Sequence, residues 1–177
     1  MDPAIAFLSM SREYLGIEYP TKLRAAVQAL PANALWWRAN DQSNSVGNLL
    51  LHLDGNVRQW IVRGVGSAST SAPGERDRAG EFAAQSGPSA SELLARLEGT
   101  LREADAVLAA LTPDALPSGR VIQGEEVTVL EAIYHVVEHF SLHLGQIIWA
   151  AKMHAPGAIR FYDDAGGLAR PRWPELR

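Results

Sequence analysis

The sequence predicts an all-α protein, a four-helix bundle in which a long crossover joins the second and third helices. Four long segments of the 177-residue chain repeat apolar residues with the period of an α-helix. Strand-like patterns are nearly absent. Residues 64–88, rich in Gly, Ser, Ala and Pro, separate the second and third helical segments. Helices that must bury one apolar face, without a sheet to pack on, favour a bundle.

The first helical segment runs from about Pro3 to Leu30. Pro20, in its middle, is expected to kink or interrupt it, because proline has no N–H to donate. The second segment runs from about residue 45 to residue 63, with Ser43 or Ser45 as its N-cap. Two glycines mark its end, Gly64 and Gly66.

Both remaining helices begin with a capping box, a Ser or Thr followed three residues later by Glu. Ser89 and Glu92 open the third helix, which is expected to run to about residue 112. Thr128 and Glu131 open the fourth, which is expected to run to about residue 153. Between them, residues 121–127 predict a small hairpin around a glycine. The tail, with its prolines and glycines, is expected to be coil.

Composition excludes several classes of protein. The 16 basic and 20 acidic residues give a formal net charge of −4, and no basic run offers a nucleic-acid footprint. The absence of cysteine excludes disulfides, thiolate metal sites and a cysteine nucleophile. No apolar stretch is long enough for a membrane span, and the N-terminus lacks signal-peptide features. We therefore expect one cytoplasmic domain over residues 1–177.

Histidines are the residues that carry chemistry in this sequence. His135, His139 and His143 recur every four residues on the fourth helix, so that successive members differ by only about 40° around its axis. This row adjoins the apolar stripe and not the wet face, so we expect it to point into the molecule. His154 is expected beyond the helix end, at the surface. The second helix carries a matching polar row: Ser45, Asn48, His52, Asn56 and Gln59.

A metal site would explain these two rows. A buried polar group without a partner costs about 1–3 kcal/mol, so the rows are expected to face each other and enclose something polar. His139 and His143 have the i, i+4 spacing that lets two imidazoles bind one ion, and His52 would complete the set. Zn or Ni suits such ligands best, with Fe or Mn as alternatives. Groups expected to orient the ligands, or to line the pocket, are Asn48, Asn56, Gln146 and Trp60.

Two alternatives remain open at this point. The histidines would also be satisfied by hydrogen bonds to Asn and Gln in a core without metal. The segment 64–88 would act as a lid or be a surface loop without a role.

No carboxylate base is evident for the pocket, which leaves His135 as the candidate for proton transfer. Trp36 and Trp37, together with Trp60, are candidates for an apolar mouth.

Two stretches of the chain resemble the DinB-like (YfiT-like) superfamily of metal-binding bundles. They are residues 44–56, which contain His52, and residues 139–147, which read His-x-x-x-His-x-Gly-Gln. More narrowly, the chain is similar to a bacterial subgroup that also carries the pair Trp36-Trp37 and an element of the form Arg76-Asp77-Arg78…Glu81-Phe82. The resemblance extends over nearly the whole chain.

The resemblance implies an up-down-down-up connection of the four helices, a homodimer and a divalent metal at His52, His139 and His143. Relatives include S-transferases that use bacillithiol, mycothiol or glutathione, a maleylpyruvate isomerase, and proteins described as metal-dependent hydrolases. The expected function is therefore a metal-dependent S-transfer or hydrolysis on a small molecule, in the first case with a low-molecular-weight thiol as cosubstrate. A non-catalytic metal-binding or stress-related dimer is the alternative.

Overall fold

The computed structural model describes residues 2–66, 76–163 and 165–172, and over them the chain is mostly helical, as the sequence predicts. The helices are α1 (Pro3–Glu13), α2 (Tyr19–Gln28), α3 (Val46–Val57), α4 (Arg78–Ala83), α5 (Ala90–Ala109) and α6 (Val129–His154). Two π-helical segments, Tyr14–Glu18 and Arg58–Val65, continue α1 and α3. The strands are β1 (Gly119–Ile122), β2 (Glu125–Thr128), β3 (Tyr162–Asp163) and β4 (Arg170–Pro171). Short 3₁₀ turns are Ala32–Ala34, Pro113–Ala115 and Ala165–Gly167.

A wide turn, not a break, accommodates the proline in the first helical segment. The N–H of Tyr19 donates to the carbonyl of Tyr14, five residues back, and α2 then continues through Pro20. The extra residue in this turn adjusts the hydrogen-bond pattern just before the position that has no N–H to donate. The expected interruption at Pro20 is thus a local π-helical segment in a continuous helical stretch from residue 3 to residue 28.

All three predicted capping positions are confirmed. Ser45, Ser89 and Thr128 each accept a hydrogen bond from the backbone N–H three residues on, and each receives a reciprocal side-chain bond at its own N–H. The end of α5 is earlier than expected, at residue 109. Thr112 precedes a proline and has an extended conformation (φ −98°, ψ 158°), because the proline ring disfavours helical geometry in the residue before it.

The hairpin predicted around Gly124 is confirmed as the pair β1–β2. Gln123 (φ 56°) and Gly124 (φ 84°) are both left-handed, which is the geometry of a two-residue type I′ turn. The expectation of a coil tail is wrong, because β3 pairs with β4. These two strands have two residues each, too few for an alternating pattern to be recognised in a sequence.

The cap of α6 allows a direct test. Thr128→Ala removes the hydroxyl that accepts from the N–H of Glu131, 3.2 Å away, and should lower the free energy of unfolding by about 1 kcal/mol. Urea denaturation measures the change. Ser9→Ala, on the exposed side of α1, is the control and should change stability by less than about 0.5 kcal/mol. An equal effect of the two variants would contradict the capping role.

The core lies between the four long helical stretches. α2 packs on α6, and α3 packs on both α5 and α6. The contact between α3 and α6 matters most for function, because it brings the two polar rows together. None of the helices in the described ranges is long and apolar enough to cross a membrane. Fully buried side chains in the core include Leu53, Ile61, Leu97, Ile133, Phe140 and Ile147.

Part of the crossover between α3 and α5 is packed against α3. Asp77 caps α4 by accepting from the N–H of Gly80. Asn48 Nδ2, on α3, donates to the carbonyls of Glu81 and Ala84, at 2.8 Å each. The described end of this segment is therefore an ordered element beside α3, whereas residues 67–75 of the segment considered as a lid lie outside the described residues.

Candidate metal centre

Three histidine rings from two helices converge at one point between α3 and α6. Nε2 of His52, on α3, lies 3.0 Å from Nε2 of His139, on α6. Nε2 of His143 lies 3.2 Å from the same atom, and the three ligand nitrogens are all within 4.8 Å of one another. The structure thus brings together the three histidines that the sequence predicts as ligands.

Helix geometry explains why these side chains meet. On α6 the apolar residues Phe140, Leu144 and Ile147 are buried in the core. The histidines one position away are turned by about 100°, which places them at the edge of the buried face, next to α3. His52, only 3% exposed, meets them from the other helix. In the α3 row, His52 and Asn56 face histidines of α6, as expected from the sequence.

The imidazoles of His135, His139 and His143, on α6, are neutral at neutral pH, because each of their pKa values is lowered. Burial, assisted by the charges of His143, His52, His135 and Arg76, lowers the pKa of His139 to about 3. Burial is also the main cause that lowers the pKa of His143 and of His135. A neutral imidazole has a free lone pair, which is the form that binds a metal ion.

The donor set fits a divalent metal ion. Each neutral imidazole has a single N–H. Nδ1 of His143 uses its N–H on Oε1 of Gln146, 2.6 Å away, so Nε2 of His143 is left as a lone pair. Hydrogen bonds among three converging Nε2 atoms join them only in pairs, whereas one cation accepts all three lone pairs. Three imidazoles also suit Zn, Ni, Fe or Cu, and leave coordination positions for a small ligand.

A largely buried carboxylate lies next to the cluster, which corrects the expectation that none would. Oε2 of Glu81, on α4, is 3.1 Å from Nδ1 of His52. Arg76 donates to both carboxylate oxygens, from Nε and Nη2, at 2.7 Å each. Burial alone would raise the pKa of Glu81, but hydrogen bonds from His52 and Arg76 and the charge of Arg76 lower it, so the carboxylate is ionised.

The role of this pair was not predicted, although both residues belong to the element Arg76-Asp77-Arg78…Glu81-Phe82. Arg76 and Glu81 lie in a segment without helical periodicity, so nothing predicted their position. The signal that could have found them is the Asp77 cap, which opens a short helix and brings Glu81 near its end.

The residues predicted to orient the ligands differ in whether they bond to a histidine of the cluster. Gln146 contacts His143 directly, as described above. The described hydrogen bonds of Asn48 go elsewhere than to the histidines, because its oxygen accepts from Ser45 and its amide donates to α4. It supports the site only through the position of α4.

His135, the remaining histidine of the two polar rows, lies beside the cluster. Nε2 of His135 is 3.3 Å from Nδ2 of Asn56, and its ring lies 4.3 Å from that of Trp60. Its ring centroid is 5.3 Å from that of His139, so it is a neighbour of the three nitrogens and not a member of the cluster. Within the described part of the chain, buried polar atoms without a hydrogen-bond partner nearby are Oδ1 of Asn56, Nε1 of Trp60 and Nδ1 of His139.

The adjacent tryptophans Trp36 and Trp37 have different environments. Trp36 packs closely over Gly47, where an added Cβ would come within 2.7 Å of its ring. Trp37 is 41% exposed and contacts the ring of His154, with centroids 4.6 Å apart. The expectation for His154 is corrected: it is the last residue of α6, not a residue beyond it, and it is half-buried against Trp37.

Comparison with known families agrees with this site. The model of the DinB superfamily matches residues 18–147, which is more than half of the chain. The matched span contains His52, His139 and His143, and also the Arg76–Glu81 pair. No curated protein matches the sequence. The extent of the family match, together with the histidine cluster inside it, shows that the chain belongs to the DinB superfamily.

Proposed function

We propose that this protein binds one divalent metal ion through His52, His139 and His143, and that it catalyses a metal-dependent S-transfer or hydrolysis on a small molecule. The observation that carries the proposal is the convergence of three Nε2 atoms within 4.8 Å. Zn or Ni is the favoured ion, with Fe or Mn as alternatives. Membership of the DinB superfamily is compatible with metal binding.

When bound, the ion would supply positive charge that favours the thiolate of a thiol cosubstrate or polarises a hydrolysable bond. The chain's own residues would hold the ion and orient the imidazoles around it. Gln146 keeps the Nδ1–H of His143 engaged, and so directs Nε2 to the cluster. His135 is the proposed proton-transfer residue, since burial keeps it neutral and Asn56 orients its ring.

S-transfer is the better supported of the two reactions. Hydrolysis needs a base that removes a proton from water, and a carboxylate is the usual choice. Glu81 is poorly placed for this role, because both of its oxygens already accept hydrogen bonds from Arg76. A thiol with a lowered pKa has less need of such a base. We therefore favour a low-molecular-weight thiol as cosubstrate.

We further propose the up-down-down-up arrangement of four helical stretches. Along α1–α2, later residues pair with earlier residues of α5, which supports opposite directions. Along α3, later residues pair with later residues of α5 but with earlier residues of α6. The supporting contacts are Arg12–Asp105, Arg24–Glu98, Asp54–Arg96, Arg58–Glu103, His52–His139 and Asn56–His135.

A homodimer is also part of the proposal. Leu142 and Trp149 on α6 are 56% and 62% exposed, and large apolar side chains grouped on one surface are typical of protein interfaces. Non-catalytic metal binding by such a dimer is the alternative function, and turnover separates the two.

The experiment starts with full-length protein freed of metal by chelation and reloaded separately with Zn, Ni, Mn or Fe. Elemental analysis should give one ion per chain for at least one of these metals. The loaded protein is then assayed with a panel of low-molecular-weight thiols, including glutathione, and a chloro-aromatic acceptor. Thiol transfer that needs the metal supports the enzyme, and one ion without turnover supports the non-catalytic alternative. Folded protein that takes up none of the four ions would contradict the proposal.

A further inference from the structure

We propose that Arg76 and Glu81 are a positioning pair that holds His52 in the tautomer whose Nε2 lone pair faces His139 and His143, and that this pair thereby sets the metal affinity of the site. The inference deepens the proposed function and rests on it for the affinity. The tautomer itself is a property of the metal-free chain.

The pair is buried and directed at one ring. The side chains of Arg76 and Glu81 are 8% and 12% exposed, so water competes weakly for their hydrogen bonds. Glu81 Oε2 lies 3.1 Å from Nδ1 of His52, while the opposite edge of the same ring points its Nε2 at His139, 3.0 Å away. Whatever determines the hydrogen on Nδ1 therefore also determines whether Nε2 is a lone pair.

Counting hydrogens around Arg76 selects one tautomer. Nη2 lies near three acceptors: Glu81 Oε2 at 2.7 Å, the His52 carbonyl at 3.0 Å and His52 Nδ1 at 2.9 Å. A guanidinium Nη has two hydrogens, so the three acceptors have to share them. Nδ1 is the one acceptor of the three that can have a hydrogen of its own. With that hydrogen it donates to Glu81 and leaves the two Nη2 hydrogens to the two oxygens.

The other tautomer is disfavoured by charge. With its hydrogen on Nε2, His52 would present the Nδ1 lone pair to a carboxylate oxygen of Glu81, 3.1 Å away, and two lone pairs would face each other. The hydrogen on Nε2 would also occupy the side of the ring that faces the cluster. The carboxylate thus favours the form of His52 that can bind a metal ion.

A glycine on α3 makes room for the pair. A Cβ at Gly55 would lie 2.6 Å from Nε of Arg76 and would overlap the carboxylate of Glu81. Glycine within a helix costs about 0.5–1 kcal/mol relative to alanine, so a close approach of this kind gives a reason for its presence. The neighbouring ring of Phe82, 4.5 Å from that of His52, covers the same side of the histidine.

Glu81→Gln is the first test, made in the full-length protein. It keeps the size of the side chain and removes its charge. We expect the Zn affinity, measured by competition with a chelator, to fall about 10–100-fold. In metal-free protein labelled with ¹⁵N-histidine, the imidazole ¹⁵N signals of His52 should move from the Nδ1–H form towards the Nε2–H form. The matched control is Glu103→Gln. It changes an exposed carboxylate on α5 that pairs with Arg58, and it should change neither quantity.

Gly55→Ala is the second test, because it displaces the pair without removing any of its groups. It should also weaken Zn binding, by about tenfold, and shift the tautomer in the same direction. Gly99→Ala is the control, since a Cβ there meets only the end of Arg102 at 3.8 Å. That variant should leave Zn affinity unchanged and gain some stability from the better helix propensity of alanine.

The outcomes separate the two proposals. Wild-type protein with His52 in the Nδ1–H form, a shift in both test variants and weaker Zn binding would support the inference. Wild-type protein in the Nε2–H form, or test variants that keep the wild-type tautomer and affinity, would overturn it. If the wild type binds no metal, the proposed function and the affinity part of the inference fail, while the NMR signals still decide whether the pair selects the tautomer.

Discussion

His139→Ala is expected to abolish stoichiometric metal binding while the chain stays folded. His139 is central to the cluster, since its Nε2 is within 3.2 Å of the Nε2 atoms of both His52 and His143. Structural Zn sites have binding free energies of about 10–16 kcal/mol. If three ligands share this roughly equally, loss of one weakens binding by a factor on the order of 10²–10⁴. Metal competition titration and elemental analysis after gel filtration measure the loss.

The control is another histidine on the same helix. His154→Ala removes an imidazole that packs on Trp37 at the end of α6, outside the cluster, and should leave one ion per chain. Circular dichroism should show that both variants keep their helical content. A full complement of metal in His139→Ala would mean that the three-histidine cluster is not the binding site.

Phe140→Ala, at the very next position, is expected to cause a large loss of stability, whereas His139→Ala is expected to affect metal binding and leave the chain folded. The ring of Phe140 is fully buried and stacks on that of Tyr19, with centroids 5.5 Å apart and ring planes at 14°. Truncating a buried phenylalanine removes its apolar surface from the core and leaves a cavity, which together cost about 3–5 kcal/mol. Because small domains have unfolding free energies of only about 5–15 kcal/mol, this is a large share. Urea denaturation monitored by circular dichroism gives the difference.

Tyr134→Ala is the matched control on the same helix. Tyr134 is 62% exposed, so its truncation should change the free energy of unfolding by less than about 0.5 kcal/mol. If Phe140→Ala were as mild as Tyr134→Ala, the packing of α6 against α2 would have to differ from the one described.

Neighbouring residues thus divide between two tasks because an α-helix turns by about 100° per residue. Phe140 points into the core and His139 to the seam with α3. This division was predictable from the sequence, since it depends on local periodicity alone. The capping boxes were predictable for the same reason, as they involve residues only three apart.

The parts of the site that escaped prediction depend on contacts between distant segments. Glu81 is 29 residues from His52 along the chain, and no periodicity connects them. Asn48 was expected to face the histidines, but its amide satisfies carbonyls of α4, an element that the sequence did not predict. The strands β3 and β4 were missed because their pairing, and not their composition, defines them.

By itself, the sequence determined the mostly helical class, the starts of three long helices, the hairpin and the three histidines that converge. Each of these follows from residues close together in the chain, where the spacing along the sequence determines on which side of a helix or strand a side chain lies. Only the tertiary structure decided which groups surround the cluster: Arg76 and Glu81 at His52, and Asn56 and Trp60 at His135. Their positions depend on how the crossover and the helices pack, because hydrogen bonds between distant segments form only after the core has brought them together.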